Sequence, residues 1–143
     1  LVRRLLPHAF LVTPNLHEAA ALAGFPVDDL DSMERAALSI AALGPEAVLV
    51  KGGHLHGEAV DLLYYQGALG RYTAPRIDSP HTHGTGCSYA SAIAALLAQG
   101  EPLLTAVERS KQFINSAIRT ARSLGKGHGP INHFMAAREL LRY

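Results

Sequence analysis

Two short apolar runs, residues 10–13 and 47–50, constrain this chain more than any other feature. Neither alternates between apolar and polar positions. A strand that is apolar on both faces belongs in a sheet covered on both sides, which is the habit of parallel sheets. What lies between the runs supports that reading. Asn15 precedes Glu18 by three residues, an alanine- and leucine-rich stretch follows, and Gly24 closes it. This is the pattern of a helix with a capping box at its start and a glycine at its end. Asp31 and Glu34 repeat the capping pattern ahead of a second helix that ends at Gly44-Pro45. Strand, helices, strand is a parallel crossover unit.

The rest of the chain fills in the layers. Residues 60–65 and 69–74, rich in Val, Leu, Tyr and Thr around Gln66-Gly67-Ala68, read as an antiparallel hairpin at the sheet's edge. Residues 1–8 read as the end of a helix stopped by Pro7. A helix is predicted over 85–98 with Cys87, Ala90, Ala94 and Leu97 on one face and Ile93 and Leu96 widening it. A second starts at Pro102, turns Leu103, Val107, Ser110, Ile114, Ala117, Ile118 and Ala121 inward, and is broken by Gly125, Gly127 and Gly129. A short helix over about 131–141 ends the chain. The predicted fold class is α/β, a three-layer αβα sandwich with a mostly parallel sheet and an edge hairpin.

Composition narrows the function. Charged residues make up 17% and the formal net charge is +1, so no basic field is available to hold nucleic acid. No apolar stretch reaches the roughly 18 residues a membrane span requires. One cysteine excludes an internal disulfide and makes a reducing, cytoplasmic setting the expectation. The chain opens at Leu1, without an initiator Met, inside an amphipathic run, which reads as a piece of a longer protein.

The sharpest motif is His81-Thr82-His83-Gly84-Thr85-Gly86-Cys87. Two glycines around one small residue, directly ahead of a helix, let successive backbone N–H groups converge and join the positive helix end in an anion site. Cys87 falls in that helix's first turn. The plainer reading is a glycine turn followed by a small buried cysteine, and the motif alone does not separate the two. It is neither the G-x-G-x-x-G dinucleotide fingerprint nor a G-K-[ST] phosphate loop. Asn15 and Glu18 have two roles open to them, a capping box or a water-mediated hold on Mg²⁺ beside a triphosphate. Lys51-Gly52-Gly53 reads as a turn after the second strand, at the carboxyl edge where open α/β sheets bind ligands, so Lys51 is a surface lysine or a phosphate partner. His54, His56, His81, His83 and Cys87 are zinc-ligand types, but their spacing is not that of a zinc site. A cysteine or serine hydrolase is weaker still, since no G-x-S-x-G elbow is present.

TPNLHEA (13–19), VLVKGGHLHG (48–57), VDLL (60–63), HGTGCSYASAIAA (83–95) and GKGHGPINHF (125–134) together resemble hydroxymethylpyrimidine/phosphomethylpyrimidine kinase, of the ribokinase-like superfamily. The resemblance runs over essentially all of residues 1–143, and these match only the family's C-terminal, ATP-binding half, an incomplete fold. It implies phosphorylation of 4-amino-5-hydroxymethyl-2-methylpyrimidine and then its monophosphate, with ATP and Mg²⁺, in thiamine biosynthesis. Gly84, Thr85 and Gly86 would form the anion hole. Cys87 would stand where most ribokinase-like enzymes place a proton-abstracting aspartate. Asn15 and Glu18 would serve Mg-ATP, and Lys51, Gly52 and Gly53 the nucleotide. Pyridoxal kinases, close relatives, are the alternative, as is a non-catalytic structural piece. Association with the missing N-terminal half, or with a second copy, is expected to cover the exposed sheet edge.

Overall fold

The computed structural model describes residues 2–53, 59–123, 127 and 129–140. The chain divides into two compact units, Leu1–Arg76 and Ile77–Tyr143.

The first unit carries a four-stranded sheet in the order β1-β2-β3-β4, with β1 Leu11–Val12, β2 Ala47–Gly52, β3 Ala59–Tyr65 and β4 Ala68–Ala74. The expected crossover is present: β1 runs parallel to β2, with Leu11 opposite Ala47 and Val12 opposite Val48. The other two ladders, β2–β3 and β3–β4, are antiparallel, so the sheet in this chain is mixed. β1 is short because Pro14 has no N–H to give the ladder. Its carbonyl still accepts the Lys51 N–H at 2.8 Å, and the ladder resumes as an isolated bridge between Asn15 and Lys51. The hairpin turns on Gln66 and Gly67, at φ 50° and 79°, with Ala68 already paired to Tyr65. Positive φ at both central residues matches the strands' right-handed twist.

Helices α1 Leu16–Ala23 and α2 Leu30–Ala41 join β1 to β2 and pack against the sheet. Leu16, Ala19, Met33, Ala36, Ala37 and Ile40 meet Val48, Val50 and Leu62 in one apolar core. α1 is capped as read from the sequence, by Asn15 and Glu18 at its start and by Gly24 at φ 82° after its end. The start of α2 differs. Its cap is Asp29, which accepts the Ser32 N–H at 2.7 Å while the Ser32 hydroxyl accepts the Asp29 N–H at 3.0 Å. Bonds from the Ser32 hydroxyl and then its amide hold the Asp29 carboxyl below the usual carboxylate range. Serine here takes the place the capping box gives to Glu, and Glu34 pairs instead with Arg71 at 2.7 Å. The N-terminal helix is not formed either: Leu6–His8 make one 3₁₀ turn around Pro7, with Leu6 buried.

The second unit is helical, with α3 Thr85–Ala98, α4 Leu103–Arg119 and α5 His133–Leu140. α3 buries Ile93, as expected, and Tyr89, whereas Cys87 and Ala94 are exposed, so the inward stripe follows the Ile93 side of the predicted face. Its small residues gave the periodicity little contrast. α4 buries Leu103, Ala106, Val107, Ser110, Ile114 and Ala117, whereas Ile118 is only half-buried and Ala121 lies beyond the helix end. It ends at Arg119, well before the glycines that were expected to stop it. The cause is Asn132, whose amide N–H donates to Ala117 O at 2.9 Å and whose side chain donates to Thr120 O at 3.0 Å. These bonds satisfy carbonyls that a continuing helix would have used. Among the described residues, no helix is long and apolar enough to cross a membrane.

Candidate active site

The candidate nucleotide residues of the first unit gather at one end of its sheet. Asn15 leaves β1 and Lys51 lies near the end of β2, and their bridge sets the two backbones side by side. Lys51 and Gly52 belong to the strand rather than to a turn after it, and only Gly53 follows. Glu18 reaches this end from the first turn of α1. Its Oε2 accepts the Asn15 N–H at 2.8 Å, and Asn15 Oδ1 accepts the Glu18 N–H at 2.9 Å. The capping reading is therefore realised. It engages one oxygen of each side chain, and a carboxylate has a second, so a water-mediated contact to a cation is chemically compatible with it. Lys51 is half-buried, and among the described residues no carboxylate pairs with its ammonium.

One residue here escaped the sequence reading. Asp61 in β3 stands opposite Lys51, is 4% exposed, and accepts the Gly52 N–H on Oδ1 at 3.0 Å. A buried carboxylate needs such donors. The available signal was a single acid inside the apolar run 59–65. Gly52 is held between strands so tightly that a Cβ there would sit 2.2 Å from the Val60 carbonyl oxygen. Arg76 completes the frame, donating to Gly53 O at 3.2 Å.

The glycine motif lies in the second unit. Gly84 is the N-cap of α3 at φ 86°, a left-handed conformation that costs other residues about 1–2 kcal/mol. A Cβ at Gly84 would meet nothing within 4 Å, so backbone conformation, not crowding, requires the glycine. Glycine offers no side-chain cap to the first turn of α3, whose Thr85 N–H donates to Thr82 O at 3.3 Å. Thr85 is tied to the loop, its hydroxyl donating to Thr82 O at 2.6 Å. Cys87 is exposed in this first turn. Within the described residues it is not buried, contrary to the plainer reading of a small buried cysteine. The turn thus sets the positive end of α3 beside an exposed thiol.

Sequence reading also missed Ser88 and His133, whose Oγ and Nε2 are 2.6 Å apart, and the bond from Gly129 N–H to His81 Nδ1 at 3.0 Å. Sequence separations of 45 and 48 residues hid these pairs. Among the described residues no three His, Cys, Asp or Glu side chains gather as metal ligands, and His54 and His56 lie outside the described residues.

Comparison with known proteins shows the family. Residues 1–132 match the family described as phosphomethylpyrimidine kinase. The thiamine biosynthesis bifunctional protein ThiED of Geobacter sulfurreducens is 52% identical over 141 residues, spanning 98% of this chain and 29% of that protein. A hydroxymethylpyrimidine/phosphomethylpyrimidine kinase of Streptomyces coelicolor is 48% identical over 136 residues, 95% of this chain and 51% of the relative. The chain therefore spans under a third of the first relative's length and about half of the second's. Among solved structures, an ADP complex of Bacillus subtilis pyridoxal kinase superposes with a TM-score of 0.91 at 37% identity, over 96% of this chain and 54% of that one. The fold is that of the ribokinase-like kinases, and the chain belongs to the phosphomethylpyrimidine kinase family.

Proposed function

We propose that the protein carrying this chain transfers the γ-phosphoryl group of ATP to 4-amino-5-hydroxymethyl-2-methylpyrimidine and then to its monophosphate, in the cytoplasm, as a step of thiamine biosynthesis. Residues 1–143 are the C-terminal, nucleotide-side half of its kinase domain. The observation that carries the reading is the left-handed Gly84 turn opening α3 with Cys87 exposed in its first turn. Phosphoryl transfer asks little covalent chemistry of a protein and much positioning of charge. The N–H groups of Gly84, Thr85, Gly86 and Cys87 stabilise charge as it develops on the transferred group. The Cys87 sulfur takes the proton of the attacking hydroxymethyl group. Lys51 supplies a point charge to the nucleotide phosphates, with Gly52 and Gly53 letting the backbone approach. Asn15 and Glu18 would hold Mg²⁺ through water, and the ion when bound would neutralise phosphate charge.

Relatives named for pyrimidine kinase or thiamine biosynthesis, at 48% and 52% identity, favour the pyrimidine over pyridoxal. The high superposition with pyridoxal kinase keeps the second substrate worth assaying. The test is Cys87→Ala in the full-length protein, with kcat expected to fall by roughly 10² or more and ATP affinity little changed. Hydroxymethylpyrimidine and pyridoxine are compared as acceptors. A variant with wild-type kcat would remove Cys87 from the chemistry, and a higher kcat/KM for pyridoxine would overturn the choice of substrate.

A further inference from the structure

We propose that His81 and His133 are positioning residues, holding the Gly84–Cys87 turn in its active shape by clasping it to the segment 129–133. This rests on the reading of the turn as the phosphoryl site. Donors that stabilise developing charge count fully only if they are fixed beforehand. A glycine N-cap cannot fix them, having no side chain to bond the helix's first turn. Three contacts from one distant segment perform that task.

Ahead of the turn, Gly129 N–H donates to His81 Nδ1 at 3.0 Å, and His83 forms a parallel backbone bridge with Pro130. Just after it, Ser88, the residue following Cys87, shares a 2.6 Å hydrogen bond with His133 Nε2. The turn is thus gripped on both sides. The segment has its own anchor, since Asn132 bonds the end of α4 through Ala117 O and Thr120 O. Asn132 Oδ1 also accepts the Met135 N–H at 3.1 Å and so caps α5, the helix that His133 begins. The Phe113 ring, tilted 44° at 6.4 Å, lies beside the His133 imidazole. Gly129 is required by the same close approach, because a Cβ there would stand 2.6 Å from His81 Nδ1.

The contacts are specific to atoms, so conservative variants can separate positioning from packing. Asn places Oδ1 where His carries Nδ1, and the Gln amide reaches the position of Nε2. In the full-length kinase, His81→Leu and His133→Leu are each expected to lower kcat by about 10- to 100-fold, as a misplacement near 1 Å does. KM for the pyrimidine and the thermal midpoint should stay close to wild type, while His81→Asn and His133→Gln restore most of kcat. The Gly86 and Ser88 amides should exchange hydrogen faster in the Leu variants, a readout independent of turnover. Wild-type kcat in both Leu variants, with Cys87→Ala inactive, would overturn the clasp and leave the turn's role intact. Loss of kcat matched by loss of stability, without rescue by Asn or Gln, would make the contacts structural and also overturn it. Full activity in Cys87→Ala would remove the reading of the turn, and the clasp with it.

Discussion

Gly52 and Gly53 are neighbours in one motif, yet the structure assigns them opposite tolerances. An alanine Cβ at position 52 would lie 2.2 Å from Val60 O and 2.9 Å from Met33 Cε. The methionine end can swing aside, but the carbonyl belongs to the paired strand. Reaching ordinary contact requires β2 and β3 to part by roughly 1 Å. That movement stretches the Gly52 N–H bond to the buried Asp61 carboxylate, of a kind worth about 1.5–3 kcal/mol. Overpacking adds about 1–3 kcal/mol, so Gly52→Ala should cost roughly 3–5 kcal/mol, a large share of a domain's total stability. At Gly53 a Cβ meets nothing within 4 Å, and Gly53→Ala should stay within about 0.5 kcal/mol of wild type. Urea unfolding of the full-length protein, followed by far-UV circular dichroism, measures both. With a slope of about 1–3 kcal/mol/M, the Gly52 variant's midpoint should fall by about 1 M or more. Equal losses at the two positions would show that the glycines serve backbone freedom rather than space, and that the packing argument is wrong.

Three further outcomes are expected. Asp29 has its carboxyl lowered by Ser32, so its stabilising effect is complete above the unfolded value of about 3.9 and lost as pH falls through the lower folded value. The thermal midpoints of wild type and Asp29→Asn should differ at pH 7 and converge as the pH is taken down through the lowered folded value; a constant gap would refute the assignment. Elemental analysis of protein purified without chelator should find well under one zinc per chain, and stoichiometric zinc lost on mutating His83 would contradict this. The chain of residues 1–143 alone should make no ADP in response to hydroxymethylpyrimidine until mixed with the N-terminal half, and a kinase rate of about 1–100 s⁻¹ from it alone would place a complete acceptor site within it.

What the sequence disclosed depended on how local the physics was. The α1 cap was legible because Asn15, Glu18 and Gly24 act over a few residues, and the crossover because strands buried on both faces lose their alternation. The α2 cap was misplaced, since serine at position 32 does the work sought from glutamate and Asp29 competes with Asp31 as the cap. Along α3, alanines and glycine gave little hydrophobic contrast, and the exposed Cys87 was grouped with the apolar face. In the candidate site the glycine turn could be seen outright. Asp61, His81, Ser88 and His133 could not, because each gains its meaning from a partner brought near only by folding.

Pro14 has a kinetic consequence. The β3–β4 hairpin closes over two residues, so its ladder can form on the scale of about 1–10 μs, whereas β1 must meet β2 across both intervening helices. That longer closure loses more chain entropy before any contact repays it, which places β1 docking late. With Pro14 donating nothing, the docked strand is held by few bonds, among them Ala47 N–H to Phe10 O and Lys51 N–H to Pro14 O, both 2.8 Å. These two amides therefore act as clocks for the last closure of the sheet. In pulse-labelling they should gain protection after Leu62 and Leu63, whose strand is already zipped to its neighbours.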